Sequence, residues 1–233
     1  MPSAQHVELD QPSGAPNSGN LHLLLREIHA SNIRYLNSVH GRGKVLFAEG
    51  EAARGVYVLT TGRATVSISS SEGKIVIPRI AQAGDVLGLN SVLRSSSYDA
   101  TVKTLEACRT DFIPRAELIA LIEKSHEGAR AILKILSHEL TELTERTRSL
   151  LLPQTAAARL ARLLLEWGEK SVRIERVFTH EEIAQMICSS RETVTRLLAS
   201  MSRCRVIEIT SDSMVIRDHT ALERMGRGDR RED

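Results

Sequence analysis

The stretch SSRETVTRLL, Ser189–Leu198, places two arginines and a glutamate among apolar residues of helical spacing. With Arg191 set at zero and about 100 degrees allowed per residue, Thr195, Glu192 and Arg196 fall at about 40, 100 and 140 degrees. Leu197, Met201, Val194 and Leu198 fall between about 240 and 340 degrees, so the two faces separate completely. Burying charge is costly, and the charged face is therefore either solvated or turned to a partner. The preceding THEEIAQMI opens with Thr179-x-x-Glu182, the pattern of a capping box, and offers Ile183, Ala184 and Ile187 to the apolar face. Only CSS lies between the two segments, a turn of the length used in helix-turn-helix units. Arginine can bond O6 and N7 of guanine together, and glutamate can accept from N4 of cytosine. Arg191 and Arg196 stand about 7.5 Å apart along the axis, a little over two base-pair steps. Glu192 also fits the third-position acid of a Ser189-x-x-Glu192 capping box, and both arginines also fit an ordinary solvated face.

Beyond this helix, RVIEITSDSMVIRD reads as two short strands around a Ser-Asp-Ser turn. Before it, Pro153 marks a hinge and QTAAARLARLLLEWGEK a further helix. Three helices and a hairpin make a winged helix-turn-helix pattern over 153–225, and GRGDRRED, 226–233, is polar enough for a disordered tail. Residues 125–152 read as one helix of roughly 40 Å capped by Ser125. Ile132, Leu136, Leu140, Leu143, Thr147 and Leu150 form a seam along it, widened early by Leu133 and Ile135 and narrow near the end. A narrow seam packs on another helix, so 125–152 is expected to be a dimerisation helix. From Gly43 to Ile113 short β-branched runs alternate with glycines, indicating an antiparallel sandwich or barrel in a domain spanning 21–124. Alternation in RATVSIS predicts Ala64, Val66 and Ile68 on one buried face. Residues 1–20 read as a disordered tail without the basic start and apolar stretch of a secretion signal.

The 233 residues include 42% apolar ones, enough for a core in two modest domains. Net charge is only +2, but Met186–Arg205 holds Arg191, Arg196, Arg203 and Arg205 against Glu192, a local basic patch. Cys108, Cys188 and Cys204 lack metal-ligand spacing, which favours reduced thiols in the cytosol. No run approaches the roughly 18 apolar residues that span a bilayer, so a cytoplasmic protein without a membrane partner is expected. No clustered nucleophile and base, phosphate-cradling loop or metal motif is present; catalytic and metal residues are expected to be absent.

THEEIAQMICSSRETVTRLL, behind a glycine-punctuated β-domain and a long helix, resembles the CRP/FNR family of bacterial transcription regulators over about residues 35–220. The resemblance implies an α+β chain: an N-terminal double-stranded β-helix, the jelly-roll or cyclic-nucleotide-binding-like sensor, then a dimerisation helix and a C-terminal winged helix-turn-helix. It implies a homodimer on double-stranded DNA, with RNA polymerase as a further partner. Carried over by position, Arg191, Glu192 and Arg196 would contact bases, and Thr179, His180, Ser190 and Thr193 phosphates. The expected operator is an inverted repeat resembling TGTGA half-sites.

The effector pocket departs from the family pattern. In GDVLGLNSVLRSSSYDATV, Leu89 stands where nucleotide-binding members carry a ribose-holding glutamate, and Tyr98-Asp99 where they carry a phosphate-holding Arg-Ser pair. Asp99 beside a phosphate would be repelled by about 1 kcal/mol at 4 Å in water and about 4 kcal/mol at an effective dielectric of 20. Thr144-Glu145 half matches a Thr-Ser pair that faces the base. Cyclic AMP is therefore not expected. An iron-sulfur cluster lacks its N-terminal cysteines; Pro2 resembles the haem-based sensors, but Asn90 stands where their ligating histidine is expected, and the scattered His22, His29 and His40 fit surface positions better than metal ligands, so neither cofactor is expected. Arg94 and the serines after it offer a site for another anion. DNA binding is expected to be independent of an effector or controlled by another signal. The alternative, a cyclic-nucleotide-type module acting through protein contacts, is disfavoured by the reading helix and by the absence of membrane and kinase segments.

Overall fold

A computed structural model describes residues 24–28, 30–151, 155–168, 173–175, 178–210 and 213–227. The expectations for the two tails, Pro2, His22, His29, Pro153 and the turn at 211–212 fall outside the described residues, apart from 226–227. Contacts divide the chain into two compact units, one running up to Ala64 and including Ala81–Ser137, the other made of Thr65–Ile80 and His138–Asp233.

Along the chain a helical segment over 24–28 (α1) precedes β1 (Leu36–His40), β2 (Val45–Phe47) and β3 (Gly55–Thr61). β4 (Arg63–Ser69) and β5 (Ile75–Gln82) follow, then β6 (Val86–Leu87), the short α2 (Leu89–Leu93), β7 (Thr101–Thr104) and β8 (Cys108–Pro114). α3 (Arg115–Lys124) leads into the long α4 (His126–Leu151). The strands form two antiparallel sheets, ordered β1-β8-β3-β6 and β2-β7-β4-β5. Tyr57 pairs with Phe112 and Val58 with Asp111, which fixes the inward residues of β3. Val56 and Val58 join Leu24, Leu89, Ile113 and Leu118 in a core that also takes Ile132 and Ile135 of α4. Gly62 turns β3 into β4 at φ +88°, and a Cβ there would lie 2.6 Å from the Ala107 carbonyl. Only glycine fits both demands.

Ser125 caps α4, accepting from the Gly128 N–H at 2.9 Å, as its position before the apolar period predicts. The seam needs one correction. Ile132 and Ile135 are buried in the core, whereas Leu133, Leu140 and Leu143 are 65%, 66% and 57% exposed. Exposed Leu133, Leu140, Leu143 and Thr147 continue through half-buried Leu136 and Leu150 in one stripe stepping 3, 4, 3, 4 and 3, a stricter heptad than the one starting at Ile132. The alternation of β4 also fails at its far end: Ala64 is buried and Ile68 is 43% exposed. From Thr65 to Ile80 this hairpin, placed by sequence inside 21–124, groups instead with the second unit. Arg79 there pairs with Glu139 at 3.6 Å.

The second unit adds α5 (Ala156–Gly168), β9 (Arg173–Glu175), α6 (His180–Met186), α7 (Arg191–Arg203), β10 (Ile207–Ile209), β11 (Ser213–Ile216) and α8 (His219–Arg227). β9 extends the expected hairpin into a sheet ordered β10-β11-β9. α5 buries Ala158, Leu160, Ala161, Leu163 and Leu164. α8 is a further departure, since the sequence pattern places Gly226 and Arg227 in a polar tail and the structure ends a helix on them. Asp218 accepts from the Ala221 N–H at 2.8 Å to start it, and Arg162 donates to the Gly226 carbonyl at 2.8 Å near its end. A side chain at Gly226 would press on Arg162 of α5, so the small residue permits the close approach of the two helices.

Candidate DNA interface and sensor pocket

α6 begins with the predicted capping box: the Thr179 hydroxyl accepts from the Glu182 N–H, and the Glu182 carboxylate accepts from the Thr179 N–H at 2.8 Å. The turn after α6 is held by a hydrogen bond from Ser189 N–H to the Ala184 carbonyl at 2.9 Å, and Cys188 takes a positive φ of 50°. α7 is capped by Ser190, whose hydroxyl accepts from the Thr193 N–H at 3.2 Å and donates to the Thr193 hydroxyl at 3.1 Å. The Ser189-x-x-Glu192 box is thus not formed: Glu192 is the second residue of the helix, one place too early. Its carboxyl is held below the usual carboxylate range, first by its own main-chain N–H and then by Ser190.

Val194, Leu198 and Met201 of α7 are buried, as are Ile183, Ala184 and Ile187 of the preceding segment. Arg191, Glu192 and Arg196 are exposed together on the other side of α7. The helical wheel therefore holds in three dimensions. Thr179 and Ser190 stand at the N-termini of α6 and α7, where free N–H groups favour an anion. His180 Nδ1 lies 2.9 Å from the Thr195 hydroxyl, which itself donates to the Arg191 carbonyl, so His180 braces α7 from α6.

Two arginines not singled out in the sequence hold this motif in place. Arg159 of α5 donates from Nε to the Ile187 carbonyl at 2.7 Å and from Nη2 to the Cys188 carbonyl at 3.4 Å. Arg146 of α4 donates from Nη2 to the Met186 carbonyl at 3.3 Å. Three consecutive carbonyls at the exit of α6 thus receive guanidinium donors, where the helix end carries partial negative charge.

The expected pocket residues are distributed differently. Leu89, the first residue of α2, is buried in the core with Leu24, Val92 and Leu118. Tyr98 is buried as well, stacked on Phe47 with centroids 3.9 Å apart and donating its hydroxyl to the Gly55 carbonyl at 2.6 Å. Burial pushes its phenol up. Gly88 passes against this ring, and a Cβ there would lie 2.6 Å from Tyr98 Cε1. Asp99 accepts from Asn90 Nδ2 at 2.8 Å and from the Ser91 hydroxyl at 2.9 Å. Arg94 is exposed at the C-cap of α2, and the arginine reaching the serine loop is Arg115, which bonds the Ser95 hydroxyl and the Val92 carbonyl. Thr144 lies in the second unit and donates to the Leu140 carbonyl at 2.9 Å. His40 is engaged with the Thr110 hydroxyl at 2.9 Å, and burial lowers its pKa. Among the described residues no group of three or more His, Cys, Asp or Glu is placed to hold a metal, and no helix is long and apolar enough to cross a membrane.

Residues 39–125 match the model of the cyclic nucleotide-binding domain, and residues 158–225 that of the Crp-like helix-turn-helix domain. The chain is a member of the CRP/FNR family of bacterial transcription regulators. It is 26% identical over 192 residues to a CRP-like cAMP-activated global transcriptional regulator of Mycobacterium tuberculosis, covering 80% of this chain and 86% of the relative. It is 27% identical over 220 residues to the global nitrogen regulator of Synechococcus elongatus, covering 88% and 96% of the two chains. The solved structure of FixK2 from Bradyrhizobium japonicum superposes with a TM-score of 0.72 at 20% identity, covering 83% of this chain and 98% of that one. The CRP/FNR regulator described here thus combines a cyclic-nucleotide-binding-type sensor fold with a DNA-binding helix-turn-helix.

Proposed function

We propose that this regulator is a homodimer that reads an inverted DNA repeat through α7 and does so without cyclic AMP. The observation that carries the first part is the exposed trio Arg191, Glu192 and Arg196 opposite the buried Val194, Leu198 and Met201. The two arginines suit guanines and the glutamate a cytosine, a composition that fits TGTGA-like half-sites. The capping ends of α6 and α7, with Thr179, His180, Ser190 and Thr193, suit flanking phosphates, which fix the register without specifying sequence. Half-sites about 10 to 10.5 base pairs apart would be met by two copies of α7 related by a two-fold axis. The exposed leucine heptad of α4 supports that dimer, since an open 3.5-residue apolar stripe is covered most simply by its own copy. RNA polymerase remains the expected partner in transcription, and the cytoplasm the expected location.

The sensor reading rests on Tyr98 and Leu89. The M. tuberculosis relative is described as cAMP-activated. Here the two positions that would hold ribose and phosphate are instead packed into the protein, and Asp99 brings a negative charge to the phosphate position. The loop from Gly88 to Asp99 is tied by its own side chains, which supports a DNA-competent form that needs no nucleotide. Selection of bound sequences from a random DNA pool, carried out without any effector, tests both parts: it should return an inverted repeat of TGTGA-like halves. Recovery of no preferred sequence would count against the reading.

A further inference from the structure

Arg146 lies on α4 among TERTR, beside the leucine stripe and not in it. Its side chain is only 15% exposed, and three of its nitrogens bond three different elements. Nε donates to the Pro78 carbonyl of β5 at 2.8 Å, Nη1 to the Glu166 carboxylate of α5 at 3.2 Å, and Nη2 to the Met186 carbonyl that ends α6 at 3.3 Å. All four residues belong to the second compact unit. Each acceptor has a reason to be available. β5 is the outer strand of its sheet, so carbonyls on its open side face no neighbouring strand. The carbonyl at the end of α6 is one of those a helix leaves without an internal partner. A guanidinium is suited to the junction because its planar fork donates in several fixed directions at once, which an ammonium cannot do.

We propose that Arg146 is a positioning residue that ties the placement of the reading helix to the β4–β5 hairpin. The turn after Met186 leads within four residues to the Ser190 cap of α7, so the point at which Arg146 grips the chain sets where α7 begins. Arg159 holds the next two carbonyls from α5. Arg146 links the turn to the hairpin through a single side chain. Any displacement of Pro78 relative to α4 must therefore either drag the guanidinium from Met186 or break one of its bonds. In the bonded arrangement seen here one charged donor joins the hairpin to the DNA-reading turn, and its release would be the second state that a coupling element requires.

The proposal rests on α7 being the DNA-reading helix, and its test separates the two. Full-length wild type, Arg146→Ala and Arg146→Lys are compared by hydrogen exchange without DNA, and by titration with operator and random DNA at one salt concentration. Arg146→Ala should speed exchange in peptides covering 75–82 and 183–195 while β10, β11 and α8 stay protected. It should weaken operator binding about tenfold, the scale of one lost charged hydrogen bond, with a smaller loss on random DNA. Arg146→Lys should restore neither property, since it keeps the charge and loses the fork. Unchanged exchange in both peptides, full rescue by lysine, or a loss of protection throughout the second unit would each overturn the proposal. A wild type with no preference for operator would refute the DNA reading, while the exchange comparison would still decide the role of Arg146.

Discussion

Tyr98 stacks on Phe47 with ring centroids 3.9 Å apart and closes the contact by donating its hydroxyl to the Gly55 carbonyl at 2.6 Å. Tyr57 extends the cluster, 5.7 Å from Phe47 and 4.8 Å from Phe112. Tyr98 is thus a structural part of the roll. Tyr98→Phe should cost about 1–3 kcal/mol by leaving a buried carbonyl unpaired, and Tyr98→Ala about 3–5 kcal/mol by opening a cavity. Denaturant unfolding of the two variants measures both. Losses below half a kilocalorie for both would show that the cluster does not hold the loop.

The same packing bears on nucleotides. A ligand shifts an equilibrium only by its differential affinity for two states, and a nucleotide without ribose and phosphate contacts has little. Millimolar cyclic AMP or cyclic GMP should leave operator affinity unchanged in titrations at fixed salt, because salt alone moves such affinities by orders of magnitude. A tenfold gain, about 1.4 kcal/mol, would mean that Arg115 or the loop amides supply the missing anion contact.

How far the sequence reveals this molecule depends on whether a feature repeats. The glycine-punctuated β-branched runs of β2–β8, the apolar seam of α4 and the segregated faces of the α6–α7 pair are readable from it. β1 and β9 lie outside those runs, and α8 packs on α5 beyond the expected hairpin. The trio on α7 was legible because charged and apolar residues segregate around one helix. Arg146 and Arg159 were not, since the contacts by which they hold the turn after α6 are to main-chain carbonyls, which no residue letter marks. The burial of Leu89 escapes the sequence for a related reason. Alignment to a pattern says which residue replaces a ligand, and only packing says that the replacement has turned into the core.

The corrected heptad on α4 changes which leucines test dimerisation. Leu136 is partly buried against the sensor core, so altering it would disturb folding as well as association. Leu140 and Leu143 are exposed in the chain by itself, and glutamate preserves helix propensity there. The wild type should sediment as a dimer at micromolar concentration, and Leu140→Glu with Leu143→Glu as a single species near the 25.8 kDa chain mass. A wild type already at that mass would remove the dimer from the proposed function.

The three thiols should separate by reactivity. Cys108 is buried, its Sγ donates to the Arg63 carbonyl at 3.3 Å, and burial pushes its thiol up, all of which keep it protonated and shielded. Cys188 and Cys204 are exposed. A disulfide reagent at neutral pH should therefore modify two thiols quickly and the third only on unfolding, as counted by mass spectrometry. Early modification of Cys108 would place it in a region that opens readily.

Specificity gives the most direct test of α7. If Arg196 bonds a guanine, Arg196→Ala should cost about 1–3 kcal/mol on the best operator and much less on random DNA, and should relax preference at one base pair of each half-site. If it bonds a phosphate, both DNAs should lose equally and the salt dependence should flatten by about one unit. Glu192→Gln should relax a different position, since an amide can both donate and accept where a carboxylate only accepts. The lowered pKa of Glu192 adds a pH criterion. A carboxyl depressed in the folded protein stays ionised below the ordinary range, and its contribution disappears only as pH falls through that lowered value. The base preference assigned to Glu192 should accordingly persist from neutral pH to about pH 5, a little above the usual glutamate pKa. Measured by competition between operators differing at that one base pair, a preference already lost by about pH 5 would assign it to another group.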